Sequence, residues 1–266
     1  MSATHDHLHA KKTKLFLVLC SIFLANALLA EIIGVKIFSA EALLGLPGAQ
    51  IPILPGFTLD FNLTAGVIIW PIVFISTDII NEYFGKEGVK RISVITVCLI
   101  IYMFVVIGVI TKLPPAAFWL EVNSKDAAGN AFNIDFAFNS IFRQGGGIII
   151  GSVVAFLISQ FLDASVFHWL RKLTGSKKIW LRATGSTLVS QLIDSFVVLF
   201  IAFYAFGNWS IPQVISVAII NYIYKFTVAI VLTPLLYIAH FFIDQYLGRD
   251  AQIILHEAEK DKTLST

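Results

Sequence analysis

Five long apolar runs, at residues 15–34, 63–83, 92–111, 141–162 and 183–206, decide most of what this chain can become. A helix rises about 1.5 Å per residue, so a hydrocarbon layer of about 30 Å needs roughly 20 apolar residues. Each run supplies that length. A sixth, at 212–246, is long for one span and carries Pro234. It reads as one tilted, kinked helix or as a span with a membrane-surface extension, because no polar turn divides it. Composition agrees: 57% of residues are apolar and 14% charged, against about 25% charged in an average soluble domain. A soluble enzyme, a disordered chain and a disulfide-rich secreted domain are excluded. The expected fold is an all-α integral membrane protein with six transmembrane helices.

Basic residues test that count, since short cytoplasmic loops are rich in Lys and Arg. Alternate connections hold Lys11, Lys12 and Lys14; Lys86, Lys90 and Arg91; Arg171, Lys172, Lys177, Lys178 and Arg182; and Arg249, Lys260 and Lys262. The other side has Lys36, Lys112, Lys125 and Arg143. The bias predicts both termini in the cytoplasm. Three parts follow: a mobile cytoplasmic arm at 1–14, a transmembrane domain at 15–246 and a cytoplasmic tail at 247–266. Lys11–Lys14 and Ala25-Asn26-Ala27 have the outline of a cleaved signal, but the apolar run continues through Ile33, as a retained helix would.

The outer connections are less apolar. Residues 39–60 hold Pro47, Pro52, Pro55, Gly45, Gly48 and Gly56, and read as an ordered loop. Residues 114–139 scatter Phe118, Trp119, Phe132, Phe136 and Phe138, which suit a lipid interface better than a pocket cap.

Ionisable groups at bilayer depth cost perhaps 2.5–3.5 kcal/mol each, so they face protein or a water-filled path. Asp78 and Glu82 sit four apart on one helix face, with Trp70 and Phe74 continuing it outward. Two carboxylates so close repel, which suits a proton carrier or a ligand-binding pair. A plainer reading leaves Glu82 at the interface beside Lys86. Gln160 and Asp163 share a face, as do Gln191 and Asp194, in segments that both read Ser-Gln-x-x-Asp. Thr184 and Thr187 extend the second stripe. Asn221 and Lys225 are again four apart. Asp194 and Lys225 both fall near mid-membrane, so an ion pair between them is expected, with Asp78 as the rival partner. Such a pair could serve only to hold the bundle together.

Asn26 reads as interhelical glue and Glu31 as an interface residue. Gly145-Gly146-Gly147 with Gly151 reads as a helix-packing face. Cys20 and Cys98 lie inside apolar runs and suggest neither disulfide nor metal. The alternating His5, His7 and His9 read as a tail, not a metal site. No P-loop, HExxH, GxSxG or CxxC pattern occurs, so no enzyme, cofactor or metal is expected, and a net charge of +2 is too small for nucleic-acid binding.

Four ordered motifs carry a resemblance: 71–85 (PIVFISTDIINEYFG) followed by Lys90-Arg91, 159–167 (SQFLDASVF), 186–195 (STLVSQLIDS) and 221–225 (NYIYK). In these the sequence resembles the bacterial queuosine precursor transporters, also called the vitamin uptake transporter family, over nearly all six spans. The resemblance implies import across the inner membrane of a 7-deazaguanine, such as 7-cyano-7-deazaguanine or its aminomethyl relative, for queuosine in tRNA. It implies work without an ATPase partner, and proton coupling is compatible with it. The competing reading is a substrate-binding subunit of a multi-component vitamin or nucleobase importer. A guanine-like edge presents N–H donors that carboxylates accept in pairs, and its flat face suits Trp70, Phe74, Tyr222 or Tyr224. The candidate substrate-binding or proton-handling residues are Trp70, Asp78, Glu82, Gln160, Asp163, Gln191, Asp194, Asn221 and Lys225. Oligomeric state is not legible.

Overall fold

The computed structural model describes residues 2–34, 36–54, 57–143, 146–174 and 178–260. Gly145, Lys177 and Lys262 lie outside these residues, as do the side chains of His5, Asp6 and His7. Helix α1 (Ser2–Ile33) leads into β1 (Ile37–Ser39), a single turn α2 (Ala40–Leu43), and strands β2 (Ile51–Leu54), β3 (Phe57–Leu59) and β4 (Asn62–Thr64). Then come α3 (Trp70–Ile110), the short α4 (Ala117–Val122) and α5 (Ile134–Phe142), and α6 (Gly146–Thr174). Helix α7 (Ile179–Leu199) ends in a π-helical turn, Phe200–Ala205; α8 (Ile211–Leu247) and α9 (Ala251–Lys260) follow.

Among the described residues, five helices are long and apolar enough to cross a membrane: α1, α3, α6, α7 with its π-helical turn, and α8. The burial pattern is that of a membrane bundle. Leu17, Ile95, Val105 and Phe241 face outward, while Ser93, Thr96, Ser186 and Ser195 are buried between helices. Small and hydroxyl side chains let backbones approach closely where apolar contacts with lipid cost nothing. Gly151 is one such place: a Cβ there would lie 3.1 Å from Val198 O and 3.3 Å from Ala202 Cβ.

The spans expected at 63–83 and 92–111 both fall within α3, which is broken at Gly85 (φ 68°, ψ −171°). A straight helix would hold residues 80 and 88 about 12 Å apart. Instead a Cβ on Gly88 would sit 3.3 Å from Ile80 Cγ2, so the chain folds back at the break. The first limb also starts later than expected. Leu63 pairs with Phe38 in the β1–β4 ladder, and Ala65–Ile68 form a 3₁₀ turn in which Gly66 would bring a Cβ within 3.0 Å of Ala30 O. Backbone pairing to β1, absent from any hydropathy profile, takes these apolar residues out of the helix.

Gly85 has the backbone angles that only glycine adopts without strain. A Cβ there would also lie 3.1 Å from Ala258 O, where α9 crosses. Gly85→Ala is therefore expected to cost about 1–3 kcal/mol. A thermal unfolding midpoint in detergent identical to wild type would refute this.

Residues 212–246 form one helix through Pro234, the first of the two sequence readings. The segment expected as a mobile arm is helical from Ser2 and continuous with the first span, having no Gly or Pro to stop it. Lys12 Nζ lies 2.7 Å from Glu257 Oε2, and Lys11 Nζ 3.9 Å from Asp250 Oδ2, so the two chain ends meet at one end of the bundle. Here α9 buries Ala251, Ile254 and Ala258.

At the opposite end the described residues of the loop at 39–60, which leave out Pro55 and Gly56, gather around Glu41. Its carboxylate accepts from Phe61 N–H at 2.6 Å, Ser39 Oγ at 2.9 Å and Ala49 N–H at 3.4 Å. These donors, the Phe61 N–H foremost, hold its pKa below the usual 4.5. A depressed folded pKa stabilises the loop above the ordinary glutamate range and loses that contribution as pH falls through the folded value. Limited proteolysis of this loop is expected to accelerate below about pH 4, and to be fast at neutral pH in Glu41→Gln. Phe118 and Phe136, on α4 and α5, are exposed and line neither of the two cavities described below.

Candidate functional site

Buried polar side chains form three layers along the bundle. Helical spacing creates them: Thr77, Asp78 and Asn81 on α3, Gln160 and Asp163 on α6, and Thr187, Ser190 and Gln191 on α7 repeat at three or four residues, so each set lines one face.

The middle layer surrounds two adjoining cavities that share Phe74 and Thr187. The larger is walled by Asp78, Thr184 and, from α8, Thr233 and Leu236. The smaller is walled by Thr77, Gln160, Asp163, Ser190 and Gln191. Asp163 is held on both oxygens: Ser190 Oγ donates to Oδ1 at 3.2 Å and Asn81 Nδ2 to Oδ2 at 3.3 Å. Thr77 Oγ1 reaches Gln160 Oε1 at 3.5 Å, and Thr184 meets Thr233 at 3.2 Å. Asp78 differs. Its Oδ1 is buried with no hydrogen-bond partner among the described residues. A buried acceptor left unmade costs about 1–3 kcal/mol, more when charged, so it marks a position built for something other than stability.

Toward the stranded end lies a second layer. Lys225 Nζ and Asp194 Oδ2 are 2.5 Å apart, the ion pair expected over its rival with Asp78. Ser152 Oγ donates to Glu31 Oε1 at 2.6 Å nearby, so Glu31 faces protein and not the interface. Asn221, half-buried one turn from Lys225, lines neither cavity. Removing one charge strands the other in a low-dielectric interior. Lys225→Gln or Asp194→Asn alone is expected to cost about 3 kcal/mol, and the double variant less than either. A double variant no more stable than the singles would contradict this, and its uptake would tell a packing pair from a working one.

The third layer, at the end where the chain termini meet, was not legible as a site. Arg182 is fully buried and donates to Glu82 Oε1 at 2.7 Å; its guanidinium also lies 5.7 Å from the Phe167 ring centre. Arg171, also buried, donates to Glu82 O at 2.9 Å and Leu255 O at 3.1 Å, and its guanidinium is 3.6 Å from Glu82 Oε2. The distribution of basic residues along the sequence places both arginines in a loop. Their signal in the sequence is faint: Arg182 sits directly before the apolar run at 183, which the helix extends back to Ile179. Glu82 thus faces these two arginines, not Lys86, and stands apart from Asp78. Beside it, Tyr83 Oη donates to Asp244 Oδ1 at 2.6 Å and contacts His240 Nδ1 at 2.9 Å.

Of the nine candidates, Asp78, Gln160, Asp163 and Gln191 come together at the cavities, Asp194, Lys225 and Asn221 lie a turn or more away, and Glu82 belongs to the arginine layer. Trp70 stacks on Phe74, ring centres 5.8 Å apart and 24° between planes, and so touches the site through Phe74. No cluster that could hold a metal ion occurs among the described residues.

A helical membrane bundle whose buried polar side chains wall cavities between its helices is an architecture suited to a small-molecule carrier. Residues 64–239 match the family described as "Putative vitamin uptake transporter", and the chain belongs to that family. It is therefore a multi-pass transporter of the bacterial inner membrane and not an enzyme. It is 32% identical over 183 residues to a Bacillus subtilis (strain 168) protein named "Probable queuosine precursor transporter", covering 67% of this chain and 73% of that one. It is 28% identical over 184 residues to the "Queuosine precursor transporter" of Escherichia coli (strain K12), covering 67% and 72%. No solved structure matches it significantly.

Proposed function

We propose that the protein imports a queuosine precursor, 7-cyano-7-deazaguanine or 7-aminomethyl-7-deazaguanine, for modification of tRNA. The carrying observation is the unpartnered Asp78 carboxylate oxygen at a cavity it lines together with Phe74. A guanine-like base offers ring N–H and amino donors along one edge, which a carboxylate accepts in parallel, and a flat face for the phenyl ring. Thr184, Thr187 and Gln191 offer the remaining donors and acceptors, and Gln160 and Asp163 shape the adjoining cavity. The names of the relatives support the substrate class.

In this reading the chain crosses the membrane six times with both ends in the cytoplasm. The fold-back at Gly85, which divides α3 into two limbs, supports the six passes. Lys11, Lys12, Lys86, Lys90, Arg91, Lys172 and Lys178 support the orientation. Segments 1–14 and 247–266 flank the transport domain 15–246 on the cytoplasmic side. Asp194 and Lys225 are the pair whose charges rearrange as the cavity opens, proton movement drives uptake, and no ATPase subunit is needed.

The test is queuosine in tRNA from a host that neither makes nor imports the precursor, at limiting external 7-cyano-7-deazaguanine. Queuosine restored only when this protein is expressed supports the reading. None restored, with the protein verified in the membrane, rejects it.

A further inference from the structure

We propose that Tyr83, His240 and Asp244 form a proton path between the cavity floor and the water at the end of the bundle where the chain termini meet. It rests on the import reading and assigns residues outside the binding cavities. His240 and Asp244, four apart on α8, span about 6 Å along that helix. Tyr83 on α3, fully buried, lies against both, with its ring centre 5.0 Å from that of His240. His240 also continues the cavity wall of α8, since Ala229, Leu232, Thr233 and Leu236 line the cavity and His240 is one turn further on the same face. At the far end Asp244 is exposed.

The hydrogen bonds fix the direction of hand-over. Tyr83 has one hydroxyl proton, which goes to Asp244, an acceptor when ionised. Its contact with His240 Nδ1 is then made by an Nδ1–H donating to Tyr83 Oη, which leaves the lone pair on Nε2. That Nε2 is buried with no hydrogen-bond partner among the described residues. A proton arriving at Nε2 lets Nδ1 release its own to Tyr83 as the tyrosine proton moves to Asp244 and on to water. One proton has then crossed, and return of the imidazole to its Nδ1–H form resets the chain. The charges acting on His240 are Glu82, from α3, and Asp244, from its own helix, against Arg171 and Arg182, from α6 and α7.

The full-length protein in liposomes, with 7-cyano-7-deazaguanine, provides the test. In His240→Gln and Tyr83→Phe, uptake driven by a pH gradient should fall tenfold or more. Counterflow without a gradient should stay within twofold of wild type, because exchange needs no net proton transfer. Driven uptake retained in both variants, or driven uptake and counterflow lost together, overturns the path. Wild-type uptake indifferent to the gradient overturns it too, while leaving the import reading intact. A wild type that carries no deazapurine rejects the import reading. The path is then decided by nitrogen NMR of histidine-labelled protein in nanodiscs without substrate. There the His240 ring nitrogens should report an Nδ1–H tautomer, with their signals shifted by Tyr83→Phe. An Nε2–H tautomer, or signals unmoved by the tyrosine variant, overturns it.

Discussion

Arg182→Met is expected to lower the unfolding free energy by about 3–5 kcal/mol, the cost of leaving a buried charge without its partner. Glu82 is itself buried and receives the arginine at 2.7 Å. Its other guanidinium, Arg171, is 3.6 Å away and donates to the Glu82 carbonyl and to Leu255 O. Arg171 cannot turn wholly to the carboxylate without abandoning those oxygens. The companion variant Glu82→Gln with Arg182→Met removes that pair but leaves Arg171 facing a neutral amide, so it should recover only part of the loss, because a buried charge without its partner carries a large penalty. Unfolding midpoints in detergent for the two singles and the double check this; a double variant as unstable as the sum of the singles would show that each residue acts alone.

Asp78→Asn should have the opposite signature. Hydrogen bonds to a charged acceptor contribute about 1.5–3 kcal/mol, so its loss in the bound state should lower uptake of 7-cyano-7-deazaguanine roughly 10–100-fold, at about 1.4 kcal/mol per factor of ten. Stability should hold or rise, since Asp78 Oδ1 has no partner to lose and the amide is neutral. Reduced uptake with an unchanged or raised unfolding midpoint is the mark of a residue kept for binding. Reduced uptake with a collapsed midpoint would make Asp78 a packing residue and remove the observation on which the proposed function stands.

The two predictions separate residues that look alike in the sequence. Asp78 and Glu82 are one turn apart on the same helix, both buried, and both costly at that depth. Spacing placed them on a shared face but could not say what stands opposite each. Opposite Glu82 are two arginines that α6 and α7 draw in from their ends; opposite Asp78 are threonine hydroxyls of α7 and α8 and open space, with Phe74 one turn away on its own helix.

Apolar runs of about 20 residues leave a chain little alternative to helices that satisfy their own backbone in lipid, and that constraint is local. The apolar runs, the polar stripes at three and four residues, and the depths of Asp194 and Lys225 along their own helices were legible for that reason. Distant backbone contacts decided the rest. Pairing of Leu63 with Phe38 shortened the second run, and the positive φ at Gly85, against which α9 packs, turned one long helix back on itself. Lys12 and Glu257 joined the ends of the chain. Arg182 passed from loop charge to fully buried side chain, and Tyr83, His240 and Asp244 came within hydrogen-bond reach across 157 and 161 residues of sequence. Hydropathy and periodicity are properties of a window of one chain, whereas the partner of a buried charge is set by how helices cross, which depends on every contact they make at once.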